Sequence, residues 1–139
     1  MPNTVNQGGM SLFDVAQRAM SAQLVRMNAA SSNLANAGTV SGSEAETYKP
    51  IRAVFAEDLD RQSGLSTVNV RAVVRSQEAA IKEHDPSNPL ANADGDVFTA
   101  PVDENAEMVE MLDASRQYQN LVEALSTAKQ LMLETMRMK

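Results

Sequence analysis

Residues 103–139 read DENAEMVEMLDASRQYQNLVEALSTAKQLMLETMRMK, and their spacing decides the architecture. Met108, Met111, Tyr118, Val122, Leu125, Met132 and Met136 follow a 3-4 alternation interrupted only by Ser115 and Lys129, the spacing of a coiled-coil seam held for about four heptads. Asp103 is placed to cap the N-terminus of this helix. Glu104, Glu107, Glu110 and Asp113 crowd its early turns and Lys129, Arg137 and Lys139 its late ones, the charge order that the helix dipole favours. Spread over consecutive turns without histidine, these acids read as a solvated face and not as a metal cluster. Roughly 35 residues at ~1.5 Å each give a rod near 50 Å long. Beside the seam runs a second stripe, Ala114, Leu121, Ala124, Ala128 and Leu131. It widens the apolar surface beyond what one antiparallel helix covers, so the helix calls for further partners.

A second helix is predicted near the other end. Ser11-Leu12-Phe13-Asp14 fits a capping box, in which hydroxyl and carboxylate satisfy the first free N–H groups. Phe13, Met20, Met27 and Leu34 then recur every seven residues, with Ala16, Leu24 and Ala30 between them, so one face stays apolar to about Asn36. Asn36-Ala37-Gly38 supplies the stop, since Asn or Gly takes the left-handed conformation that closes a helix. This helix is roughly 40 Å long.

Between the helices the period changes. Val40–Thr47 reads as a loop. Ile51, Ala53 and Phe55, then Val68, Val70, Ala72 and Val74, alternate with polar or smaller residues as strands do, with turn residues at Asp60–Gly64. Further short strands are expected at Ala79–His84 and Asp96–Thr99, separated by Asp85-Pro86-Ser87-Asn88-Pro89, with Asp94-Gly95 as a tight turn. The predicted fold is mainly α with a small β insert: long N- and C-terminal helices pairing as a coiled coil, and a short β-hairpin or β unit between them. The expected segments are a flexible lead over 1–10, a helix over 11–37, a loop and β unit over 38–101, and a helix over 102–139.

Composition narrows the function. The 139 residues are 4% aromatic with no tryptophan but nine methionines, so the apolar surface comes mostly from Ala, Leu, Val and Met, side chains suited to helices and adaptable contacts. A net charge of −6 argues against nucleic acid and anionic membrane as partners. The absence of cysteine excludes disulfides, thiolate chemistry and cysteine-bound zinc. Met1–Gly9 is polar and unlike a cleavable signal, and the longest apolar run, Ala53–Ala56, falls far short of the ~20 residues of a membrane span.

Chemistry finds little support. His84, the only histidine, lacks a G-x-S-x-G elbow and reads as a surface residue at a strand end. Asn92-Ala93-Asp94-Gly95-Asp96 imitates the middle of a calcium loop, but Leu90 and Pro101 occupy the positions where its first and last carboxylates belong. Neither phosphate-binding glycine motif is present. The sequence predicts no enzyme and no cofactor, catalytic residue or metal site.

Ala29-Ala30-Ser31-Ser32-Asn33-Leu34-Ala35-Asn36-Ala37 resembles the S-x-N-L-A-N signature of the flagellar axial proteins, which build the rod and hook. Asp85 through Gly95, Pro101-Val102-Asp103, and segments of the last helix (Glu107-Met108-Val109, Ala114-Ser115-Arg116, Tyr118-Gln119, Val122-Glu123, Lys129 through Thr135) are similar to the proximal-rod branch of that family. Asp103-Glu104-Asn105 departs from it, standing where apolar residues are more usual. The resemblance implies a structural subunit that assembles helically into the proximal rod, part of the drive shaft and of the export channel wall. It implies that Ser32, Asn33, Leu34, Ala35 and Asn36 form an assembly motif, and that the terminal helices make an inner layer with the β unit outside. Phe13, Met20, Leu24 and Met27 on the first helix, with Met108, Met111, Tyr118, Val122, Leu125, Met132 and Met136 on the last, are the expected interface. Its implied partners are other copies of the chain, the rod proteins FlgB, FlgF and FlgG, the junction protein FliE, and the export apparatus during secretion, with no nucleic acid and no insertion into a membrane. The implied place is the basal-body rod within the periplasm, reached without a cleaved signal peptide. A soluble helical adaptor or chaperone that captures a partner helix on the same methionine-rich face is the alternative.

Overall fold

The computed structural model describes residues 10–138; most of the flexible lead expected over 1–10, up to Gly9, and Lys139 lie outside the described residues. Helix α1 spans Leu12–Ala35 and helix α2 Glu104–Arg137. Between them lie strands β1 (Val40–Ser41), β2 (Ile51–Leu59), β3 (Ser66–Arg75), β4 (Ile81–His84) and β5 (Asp96–Thr99). The fold is mainly helical, with two long helices packed on each other and a small antiparallel β part between them in the chain.

Both helices begin as the sequence dictates. The Ser11 hydroxyl accepts from Asp14 N–H while the Asp14 carboxylate accepts from Ser11 N–H, a complete capping box. The Ser11 hydroxyl also donates to the Asp14 carboxylate, and this bond first, then the one from Ser11 N–H, holds that carboxyl below its usual range. Asp103 accepts from the N–H groups of Asn105 and Ala106 and opens α2 in the same manner. The stop of α1 differs in detail: Asn36 closes the helix at φ −103°, and Gly38, at φ +73°, takes the left-handed conformation two residues later.

The β part is two sheets. β2 and β3 form an antiparallel hairpin of nine and ten residues, with a bulge where Val54 pairs Ala72 but Phe55 pairs Val70. The second sheet has the order β1-β5-β4. β1 corrects the reading of Val40–Thr47 as plain loop: Val40 and Ser41 pair with Thr99 and Phe98. Two residues are too few to show an alternating pattern, so only the partner strand reveals them. Asp94-Gly95 does turn, with Gly95 at φ +77°, but as the last bend of the long loop 85–95 that leads into β5. A Cβ at Gly95 would lie 3.0 Å from the His84 ring.

α1 is the middle layer. It packs against α2 on one side and against both strands of the hairpin on another. β2 starts beside Asn33 near the end of α1, and the tip of the hairpin returns to its beginning, where Asp60 accepts from Met10 N–H. The fully buried apolar residues are small: Ala22, Ala29, Ala30, Ala100 and Ala114, with Val97. Alanine lets two helix backbones approach closely but contributes little apolar area of its own.

Two outcomes follow. Ala22→Leu forces extra methylenes into this close contact and should lower stability by about 1–3 kcal/mol, read from chemical denaturation. Met10 N–H, then the Ser63 hydroxyl and Gln62 N–H, hold the Asp60 carboxyl down to about 2. A depressed folded value contributes stability above the unfolded value near 4 and loses it as pH falls through about 2. The Asp60 carboxyl carbon, followed by NMR, should therefore titrate near pH 2, with the grip on Met10 persisting until the pH approaches that value, while its contribution to stability declines from about pH 4 downward.

Candidate assembly surface

The signature segment sits at the end of α1, where it meets two other elements. Asn33 is completely buried, and its amide is fully used. The carbonyl oxygen accepts from Ile51 N–H (2.8 Å) and from the Tyr48 hydroxyl (2.8 Å). The NH2 donates to Ile51 C=O (2.9 Å) and to a Glu107 carboxylate oxygen (3.1 Å). The side chain thus joins α1, the start of β2 and the first turn of α2. Ser32 meets the Tyr48 hydroxyl at 3.2 Å, and the Asn36 amide donates to Ser32 C=O, tightening the helix end. Leu34 is half-buried and Ala35 exposed.

Glu107 overturns the reading of the early acids as a solvated face. It is 1% exposed, and Arg52 grips both of its oxygens, Nη1 at 2.9 Å from Oε2 and Nη2 on Oε1. Such a carboxylate is tolerable inside because paired donors replace the water it has lost. Glu110 and Asp113 also have a partner. Arg26 of α1 donates to both, Nε to Glu110 at 2.7 Å and Nη2 to Asp113 at 3.0 Å, and Glu110 chiefly raises its affinity for the proton. Since Asn33 reaches Glu107 while Arg26 reaches residues 110 and 113, α1 and α2 run antiparallel.

The seam of α2 against α1 is offset from the one read in the sequence. Glu107, Met111, Ala114, Tyr118, Leu121, Leu125 and Ala128 are buried or half-buried at an unbroken 3-4 spacing that merges the two predicted stripes, with Glu110 and Ser115 half-buried beside it. Met111, Tyr118 and Leu125 belong to it. Met108 (47% exposed) and Val122 (42%) do not: they flank it and stand exposed. Phe13, Met20 and Met27 are half-buried along α1, whereas Leu24 is 43% exposed.

α2 also outruns its partner, with 34 residues against 24. From Lys129 to Met138 every residue is exposed, a bare helical end of ~15 Å. Met132 and Met136 stand on that end, beside Leu131 and Leu133. Together with Met108, Val109 and Leu112 they give α2 an apolar exterior that no part of the described chain covers.

His84 ends β4 and contacts Asp96 at 2.9 Å, and Lys82 bridges the same carboxylate at 2.7 Å. Lys82 first and His84 second hold Asp96 below the usual carboxylate range. The ring is mostly exposed and acts as a strand-end tie. Among the described residues no helix is long and apolar enough to cross a membrane.

Comparison with known proteins brings the two ends of the chain together. Residues 13–41 match the family model described as flagella basal body rod protein, and residues 99–138 match the model for the C-terminal part of the flagellar basal body rod proteins FlgE, FlgF and FlgG. Over 127 residues the chain is 40% identical to the flagellar basal-body rod protein FlgC of Salmonella typhimurium, covering 91% of this chain and 95% of that one. FlgC of Yersinia enterocolitica is 40% identical over 129 residues with the same coverage, and FlgC of Buchnera aphidicola from Schizaphis graminum is 33% identical.

Arg52→Met removes the partner that neutralises Glu107. A broken buried pair typically costs ~3–5 kcal/mol; because Arg52 is half-exposed, about 2–3 kcal/mol is expected here, measured by urea unfolding.

Proposed function

The chain belongs to the FlgC family of flagellar basal-body rod proteins, and from that premise we propose how its surface builds the rod. It is a structural subunit of the rod, and the family is one of structural proteins. The uncovered exterior of α2 is the assembly interface: neighbouring subunits bury Met108, Val122, Met132 and Met136, which α1 leaves bare. The observation that carries this reading is the end of α2. A ten-residue helix with Leu131, Met132, Leu133 and Met136 in water is unfavourable in an isolated subunit and becomes favourable once another helix lies on it.

Met111, Tyr118 and Leu125, with Phe13, Met20 and Met27 on α1, hold the subunit's own helices together, and Ser32, Asn33 and Asn36 fix the junction from which α2 projects. The neighbours are other copies of the chain in helical array, the rod proteins FlgB, FlgF and FlgG, and the junction protein FliE. Family likeness supports those partners, a position in the proximal rod, passage through the flagellar export apparatus without a cleaved signal, and a final place in the periplasm. In that place the paired helices line the export channel, while the hairpin and the three-stranded sheet face outward in a shaft that transmits torque.

Substitution on the bare end separates assembly from folding. Met132→Asp combined with Leu131→Asp should change subunit stability by less than ~0.5 kcal/mol, because both side chains already face water. It should abolish co-purification with basal bodies and swimming while leaving secretion intact. Normal motility in the double variant would remove this surface from the interface. A variant that instead lost binding to a soluble cytoplasmic partner would favour an adaptor.

A further inference from the structure

The 3-4 spacing of α2 offers two rotational settings against α1. The observed one presents Glu107, Met111, Ala114, Tyr118, Leu121, Leu125 and Ala128. The other keeps Met111, Tyr118 and Leu125 and replaces the rest with Met108, Ser115, Val122 and Lys129. Successive residues are ~100° apart around a helix, and the two settings differ by about half of that. At the start of the helix apolar burial alone favours the second setting, because it places Met108 inside and Glu107 in water. The chain adopts the first, in which the carboxylate is buried and Met108 exposed.

Burying a carboxylate is costly unless its partners are in place, so the partners decide the outcome. They come from elements far away in the chain. Arg52 at the start of β2 takes both carboxylate oxygens, and Asn33 at the end of α1 donates to one of them. Asn33 is itself held by Ile51 and Tyr48, so its NH2 group cannot follow the carboxylate if α2 turns. A half-step of rotation carries a point ~5 Å from the helix axis through roughly 4 Å, enough to break the bonds that Asn33 and Arg52 now make to Glu107.

We infer that Asn33, Arg52 and Glu107 form a rotational lock, which holds the opening turns of α2 in the first setting against the pull of Met108 and so decides which stripe is displayed. With the lock closed, Met108 and Val122 point outward. The identity of the displayed stripe as an assembly surface rests on the function proposed above; the lock does not, and it is measured on the isolated subunit.

The native chain has no cysteine, so single cysteines report the setting. Ala114→Cys places a thiol at a fully buried position, and Ser115→Cys places one at a half-buried neighbour. With Glu107 present, maleimide should label the thiol at 114 about ten-fold more slowly than the one at 115. Glu107→Met makes both settings apolar at this turn. It should bring the two rates to near equality while the helical circular dichroism stays unchanged. Glu107→Gln, which retains an acceptor for Arg52 and Asn33, should keep the native ratio. An unchanged ratio in Glu107→Met would overturn the lock. Loss of helical signal in that variant would overturn it too, because the triad would then sustain the fold instead of selecting a face. Rod assembly is scored separately, so failure of the lock and failure of the assembly surface are distinguishable.

Discussion

One carboxamide and one carboxylate, both cut off from water, set the geometry of this subunit. Asn33 satisfies the chain where it passes from α1 to β2, and Glu107 ties the start of α2 to both. A buried polar group without partners costs a few kcal/mol, so each of these groups demands the others. Apolar packing could not supply that directional demand here. Among the described residues the fully buried apolar side chains are mostly alanine, and the rings of Phe13, Tyr48 and Tyr118 are only half-buried. A core built from small residues is permissive, and the polar contacts supply what it lacks in shape.

Much of the fold is legible in the residues themselves. The spacing of Met111, Tyr118 and Leu125 marks the helix and one line of its buried side. The Ser11 to Asp14 pair marks where α1 begins, and alternation in Ile51–Phe55 and Val68–Val74 marks the hairpin. These signals are local, arising from backbone hydrogen bonding and from which side chains repeat on one face. Glu107 is illegible by the same logic. It sits 55 residues from Arg52 and 74 from Asn33, and nothing in its own neighbourhood separates it from the exposed acids Glu104 and Asp113. The exact orientation of α2 was therefore hidden as well, which is why Met108 and Val122 read as inner residues and stand outside. The two residues of β1 belong to the same class, a strand created by its partner.

The distribution of apolar surface links the fold to its role. In a self-sufficient domain of this size the long helices would turn their Leu and Met residues inward, around a common centre. Here α1 spends its two sides on α2 and on the hairpin, and α2 is left with one covered side and a bare end. The exposed large apolar residues are densest on one helix, with others scattered over α1, the hairpin and β4, whereas the loops around β4 and β5 are capped by their own Asn side chains. A subunit finished at one end and open along one helix is suited to addition in a growing array.

The composition of that open surface carries a chemical consequence. Met132, Met136 and Met138 stand in solvent on the last turns of α2, and thioethers are the apolar groups most readily oxidised. A single sulfoxide adds a strongly polar oxygen to that surface. Under the assembly proposed above, a free subunit is open to oxidative poisoning, and incorporation would shield it.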